Sequence, residues 1–161
     1  VKYEDYANAR IGDVVTTGQL EKSLRFSTYH LESSWMENGD GKDFTLHTLP
    51  EMAQISCING FVFEDVTGDD VPEIIAAGNF YPFKPQLGRS DASYGLVMNY
   101  ENGFTCPSEV LSNVWLDGDV RQIEVLRFTS GRRVVVSRNH SRPGVYSITP
   151  KDNSKVVVQA R

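Results

Sequence analysis

Asn59-Gly60-Phe61-Val62-Phe63-Glu64-Asp65-Val66-Thr67-Gly68-Asp69-Asp70-Val71-Pro72-Glu73-Ile74-Ile75-Ala76-Ala77-Gly78-Asn79 reads as strand, acidic turn, strand. Phe61, Val62 and Phe63 lead in with β-branched and aromatic side chains, and Ile74, Ile75, Ala76 and Ala77 lead out as a buried antiparallel partner. Between them, oxygen-bearing side chains fall at positions one, three, five and nine of the turn, Asp65, Thr67, Asp69 and Glu73, close to the order of a calcium-binding loop. Val71 would add its backbone carbonyl. Asp70 stands at position six, where such loops carry Gly to turn sharply, and Thr67 is a neutral ligand at position three. Two readings follow, a bound calcium ion or a metal-free turn held by Asp side chains on backbone amides.

Outward from this segment, the chain shortens into strands broken by turn residues. Asn38-Gly39-Asp40-Gly41-Lys42 predicts a hairpin turn between a strand in Phe26–Glu37 and one at Phe44–Leu49. Tyr81–Asp91 carries two prolines and little periodicity, which predicts a long ordered loop. Strands are expected at Tyr94–Tyr100, Phe104–Pro107, Asp119–Phe128, Arg132–Asn139, Gly144–Thr149 and Lys155–Gln159. Ahead of them, Thr16 or Thr17 would cap a short helix from about Thr17 to Leu24.

An internal repeat organises these strands. Phe44-Thr45 and Phe104-Thr105 each follow an Asn-Gly turn and lie 60 residues apart, as do Asn79 and Asn139, each closing an apolar strand. Four antiparallel strands per unit is the make-up of a propeller blade. The expected architecture is therefore all-β, a partial or open propeller of four-stranded antiparallel blades with a short N-terminal helix. It would form a single repeat domain over 1–161, with a lead-in at 1–25, a partial blade at 26–56, a complete blade at 57–110 and a final blade at 111–161. Further blades of a longer parent chain, or a homo-oligomer, would cover the faces left open.

Composition narrows the function classes. With 40% hydrophobic residues among 161 and a net charge of −5, the chain has the balance of a folded domain and not of a general nucleic-acid binder. No run approaches the about 18 apolar residues of a membrane helix. Val1–Tyr6 has no charged start followed by an apolar core, so no signal peptide is expected, and a first residue other than Met suggests a piece of a longer protein. Cys57 and Cys106 lack the second thiol or nearby His of a zinc site and read as core thiols more readily than as a disulfide.

Taken together, the Asp65–Ile74 loop, the Asn38-Gly39-Asp40-Gly41-x-x-Phe44 hairpin and the segment Gly78-Asn79-Phe80 with Leu87–Leu96 resemble the FG-GAP and VCBS repeats. The likeness covers about Leu31 to Ile148, and is nearest the C-terminal blades of propellers related to cartilage acidic protein in Bacteroidetes-type bacteria. It implies a non-catalytic binding or scaffolding module, calcium-stabilised, that is secreted, periplasmic or on the outer cell surface and meets a protein or glycan partner. The alternative is the C-terminal propeller portion of an extracellular polysaccharide-acting enzyme whose active site lies outside this chain.

The remaining polar groups are read against blander roles. In the long loop, Arg89 and Asp91 would pair with each other or with Asn79, and these three are the candidate ligand-binding residues. Arg127, Arg132, Arg133, Arg138 and Arg142 form a local basic patch, read as exposed strand faces or an anionic-ligand surface. His30, His47 and His140 fall on different elements, and Trp35, Tyr81, Phe83, Tyr94 and Trp115 are expected to pack between blades more than to stack on sugars.

Overall fold

Glycine and Asn-Gly turns punctuate short β-branched runs, and the computed structural model shows what they build over residues 2–107, 115–151 and 155–160. The chain divides into two compact units, Val1–Leu31 and Glu32–Arg161. The first holds three short helices, α1 (Tyr3–Ala7), α2 (Ile11–Val14) and α3 (Thr17–Glu21). The third is the expected one. Thr16 caps it, with Gln19 Oε1 accepting from the Thr16 backbone N–H at 3.0 Å and from its hydroxyl at 2.8 Å. It ends at Glu21, where the Ser23 hydroxyl donates to the Leu20 carbonyl at 2.7 Å. No helix among the described residues is long and apolar enough to cross a membrane.

The second unit is antiparallel β throughout. Strands β1 (Ser34–Gly39) and β2 (Asp43–Thr48) form a hairpin joined by Asp40, Gly41 and Lys42, with positive φ at Asp40 (54°) and Gly41 (74°) and the Lys42 amide donating to the Gly39 carbonyl at 3.2 Å. The first strand begins at Ser34 and not at Phe26, a correction with a simple cause. Phe26, Tyr29 and Leu31 are spaced three and then two apart, so no strand puts all three on one face, and all are exposed. After a 3-10 turn at Glu51–Ala53 come β3 (Ile58–Glu64), β4 (Glu73–Gly78), β5 (Leu96–Tyr100) and β6 (Phe104–Thr105), paired in that order as a middle sheet. Pro107 cannot donate to a ladder, in keeping with the brevity of β6. Strands β7 (Val120–Phe128), β8 (Gly131–Arg138), β9 (Gly144–Lys151) and β10 (Lys155–Ala160) form a second meander, the end sheet.

The two sheets repeat each other in register as well as in order. In the middle sheet Ile58 pairs with Gly78 and Gly60 with Ala77, leaving Asn59 as a bulge; in the end sheet Val120 pairs with Arg138 and Gln122 with Ser137, leaving Arg121 as a bulge. After the bulge, Phe61 opposite Ala76 corresponds to Ile123 opposite Val136. The backbone amide of Asn79 donates to the Cys57 carbonyl at 3.1 Å, and that of Asn139 to the Asp119 carbonyl at 2.8 Å, so the two asparagines 60 residues apart close their strands in the same way.

Burial shows the layering. Val62, Ile75, Ala77 and Val97 of the middle sheet pack on Ile123, Val125, Val134, Val136, Tyr146 and Ile148 of the end sheet. The opposite face of the middle sheet, Ile74, Ala76, Leu96 and Met98, packs with Ala53, Leu49, Ile58 and Phe104. Strand β4 is therefore buried from end to end, which accounts for its unbroken Ile-Ile-Ala-Ala run. Each large aliphatic side chain so buried stabilises the fold by about 1.5–3 kcal/mol. The outer face of the end sheet is mixed: Gln122, Glu124 and Ser137 lie exposed along it, and so do Leu126, Phe128 and Val145, which the register places on the same side.

Candidate functional site

The acidic turn between β3 and β4 forms as a tight loop whose own carboxylates hold it. Asp65 Oδ1 accepts from the Gly68 amide at 2.6 Å and Oδ2 from the Asp70 amide at 3.1 Å, while Asp69 Oδ1 accepts from the Val71 amide at 2.9 Å. Asp70 takes the left-handed conformation demanded of position six, φ 66°. Beneath the turn, Glu73 is 2% exposed, with Oε2 accepting from the Val66 amide at 2.8 Å and Oε1 from the Thr67 hydroxyl at 3.1 Å. The oxygens of Asp65, Thr67, Asp69 and Glu73 thus serve the turn, and no three His, Cys, Asp or Glu side chains among the described residues converge as a cation site. Asp65, Asp69 and Glu73 each accept at least one hydrogen bond from within the turn, while the Thr67 hydroxyl donates to Glu73. Val71 is exposed at the loop's tip.

At the opposite end of the middle sheet, the long loop forms as an ordered excursion. Phe80 and Ser90 exchange backbone hydrogen bonds at 2.9 and 3.0 Å, pinching it closed, and the rings of Phe80 and Phe83 meet edge to face at 5.1 Å. Arg89 lies over the Tyr81 ring with its guanidinium carbon 4.7 Å from the centroid, and Arg121 reaches over Phe80 at 5.8 Å. Asp91 is exposed on the same loop. Just past the loop in sequence, the exposed Tyr94 ring stacks at 4.2 Å on that of the exposed Trp115.

Asn79 does not join Arg89 and Asp91 at this surface. It is 1% exposed with φ 86°, its Nδ2 donating to the Ser93 carbonyl at 2.7 Å and the Gly118 carbonyl at 3.1 Å, its Oδ1 accepting from the Ser93 amide at 3.0 Å. Asn59, the bulge residue, donates to the Asn79 and Val120 carbonyls, both at 2.9 Å. These two side chains stitch the loop and both sheets together at one seam. Asp119 continues it, 1% exposed, accepting from Arg121 at 2.9 Å and Asn139 at 3.2 Å through Oδ2.

The basic patch is divided: Arg127 and Arg142 are exposed, while Arg132, Arg133 and Arg138 are half-buried. Arg127 and Arg132 sit directly opposite each other across β7 and β8, a like-charge pair that would repel. Glu64 of β3, 3% exposed, lies between them, with each of its oxygens 2.5 Å from one guanidinium. Arg138 pairs with Asp117 at 3.0 Å and also donates to the Tyr146 hydroxyl. Burial raises the Tyr146 phenol above its ordinary value, with Arg138 pulling the other way. The signal for the clamp was present in the sequence, since Glu64 is a carboxylate at an inward position of an apolar strand.

Because Arg127 is well exposed and water softens its loss, Glu64→Ala is expected to destabilise the protein by roughly 2 kcal/mol, short of the cost of breaking a fully buried pair. Urea melts would show it as a lower midpoint, and adding Arg127→Ala should cost less than the sum of the two single changes if the clamp is real.

Both cysteines are free thiols, Cys57 exposed and Cys106 half-buried, and burial raises the Cys106 thiol. Iodoacetamide at pH 8 is therefore expected to label Cys57 well before Cys106, as read by mass spectrometry, since only the thiolate reacts. Equal rates would contradict this placement.

No family model, curated protein or solved structure matches the chain.

Proposed function

We propose that the chain is a run of propeller-type blades of the FG-GAP/VCBS kind, acting as a non-catalytic binding or scaffolding module at the cell envelope or outside the cell. The observation that supports this most is the repeated four-stranded meander, with its bulge at the same register and its closing asparagine in the same bond, stacked face to face. Such stacking leaves the connecting loops as the variable surface. The Tyr81–Asp91 loop is the binding rim in this reading, because Arg89 over Tyr81 offers a flat π surface with a cation upon it, suited to an acidic sugar of a glycan partner.

The test is affinity electrophoresis of the protein through gels containing acidic or neutral polysaccharides, alongside an assay for new reducing ends. Retardation by an acidic polymer, lost in Tyr81→Ala and Arg89→Ala, with no new reducing ends, is the expected result. Release of reducing ends would instead make the chain part of an enzyme. Calcium belongs to the proposal only as a brace at Asp65, Thr67, Asp69, Val71 and Glu73, competing with the hydrogen bonds that Asp65, Asp69 and Glu73 make to amides of the turn. A ligand held at 100 times its Kd adds about 2.7 kcal/mol to the folded state, so an unchanged melting midpoint when calcium is returned after chelation removes calcium from the proposal.

A further inference from the structure

One face of the hairpin β1–β2 carries polar groups that neither the sheets nor the long loop use. Trp35 stands opposite His47 across the two strands, and Glu37, two residues on, shares their face. The His47 ring stacks on Trp35 at 4.5 Å with 17° between the planes, and its Nε2–H donates to Glu37 Oε2 at 3.0 Å. Both polar side chains remain partly exposed. Among the described residues, Oε1 of Glu37 has no hydrogen-bond partner.

The turn between β5 and β6 supplies the other wall. Tyr100 and Phe104, paired across it, bring their rings to Trp35 with centroids at 5.5 and 5.3 Å and planes at 90° and 89°. Between the two hairpins lies a cleft of about 350 Å³, lined by Trp35, Glu37, His47, Tyr100, Asn102 and Phe104. Gly103 borders it without a side chain, and a Cβ there would meet nothing within 4 Å. Glu37 is the one carboxylate among the lining residues, and no Lys or Arg joins it. The flanking turns add Asp40, Asp43 and Glu101 against Lys42 alone.

We propose that this cleft binds a methylated ammonium ion, a small organic cation whose charge pairs with Glu37 while its methyl groups rest against the aromatic walls. Aromatic rings carry a negative face, so a cleft walled by Trp35, Tyr100 and Phe104 and holding one carboxylate favours a cation over a neutral or anionic guest. A single carboxylate offers too few oxygens for a hard metal ion, which takes six or more. A bare ammonium holds its water firmly, and a partly exposed carboxylate gains little by displacing that water. Methylation weakens the hydration and gives the cation apolar surface for the rings to cover. The volume sits at the small end of ligand sites, which span about 300–1,000 Å³, and suits a compact head group. The cleft shares no lining residue with the Tyr81–Asp91 loop, so this inference goes beyond the glycan reading and does not rest on it.

The test uses the full chain with Trp115→Phe, leaving Trp35 as the sole tryptophan. Choline chloride is titrated while Trp35 emission is followed, beside two controls. One is sodium chloride at equal ionic strength, and the other is the neutral isostere of choline, in which a tert-butyl group replaces the trimethylammonium. A saturable change with choline is expected, absent with sodium chloride and weaker by about tenfold or more with the isostere. Glu37→Gln keeps the size of the side chain and an acceptor for His47 but removes the charge, so it should weaken choline by about tenfold with the melting midpoint unchanged. Tyr100→Leu, which takes one ring from the wall, should weaken it as well, and if that variant fails to fold the Glu37 variant still decides. No saturation with choline, an isostere that binds as tightly, or Glu37→Gln protein that binds choline unchanged would each overturn the proposal. None of these outcomes alters the polysaccharide result, nor does that result alter them.

Discussion

Gly78→Ala is expected to lower the stability of the protein by about 4 kcal/mol, at the far end of what single substitutions do. A Cβ at this position would lie 1.7 Å from the Cys57 carbonyl oxygen, 2.6 Å from its carbon and 3.0 Å from the Ile58 Cα, all backbone atoms. None is the mobile tip of a side chain. The Cys57 oxygen is also the acceptor for the Asn79 amide at 3.1 Å, so the strand cannot retreat without losing the bond that closes it. Gly60→Ala offers a graded comparison: its Cβ would meet Gln122 Cα and Ile123 N at 3.1 Å, asking the two sheets to part by a few tenths of an ångström, at a cost of about 1–3 kcal/mol. Gly12→Ala meets nothing within 4 Å and is expected to be neutral or mildly favourable to its helix. Urea melts followed by far-ultraviolet circular dichroism would rank the three. A Gly78→Ala protein as stable as the parent would mean that β3 and β4 do not pair as described.

The contrast between these glycines shows which parts of the fold were legible in the sequence. Strands with β-branched runs and turns with Asp-Gly or Asn-Gly act locally, so β2, β3, β4, β7 and β8 fall within a residue or two of expectation. The spacing of Asn79 and Asn139 was legible as a repeat, and the structure gives its cause in two equivalent backbone bonds. What the sequence did not disclose is which distant atoms each residue meets. Gly78 matches Arg138 in register, so nothing in the repeat itself says that a side chain is excluded at one and welcome at the other. The arginines of β7 and β8 read as a surface patch because their partner, Glu64, lies more than sixty residues away on another sheet. The acidic turn has a composition shared by metal loops and Asx-type turns, and the bonds its carboxylates make to backbone amides are not written in that composition.

Asn79→Ala should lower stability by about 4 kcal/mol as well, by a different route. The change leaves the carbonyls of Ser93 and Gly118 and the amide of Ser93 without the partner they now share, at about 1–3 kcal/mol for each buried group left unmet. It also places alanine at φ 86°, adding about 1–2 kcal/mol that asparagine largely escapes. The two contributions separate experimentally. Asn79→Gly restores the backbone freedom without the hydrogen bonds, so it should recover only that smaller share. Asn79→Asp keeps an acceptor for the Ser93 amide but turns an oxygen toward two carbonyls. Its carboxyl would be held protonated in the fold, so stability is expected to improve as pH falls and to be lost as pH rises through the folded pKa. Asn139→Ala, which surrenders only a 3.2 Å bond to Asp119 while keeping its backbone bond, should cost about 1 kcal/mol. The same series decides what kind of residue Asn79 is. A ligand-binding residue on the rim would lose polysaccharide retardation with its melting midpoint unchanged, as Arg89→Ala is expected to do. A residue that fastens the long loop to both sheets loses stability first, and loses binding only because the loop carrying Tyr81 and Arg89 is no longer held against the seam.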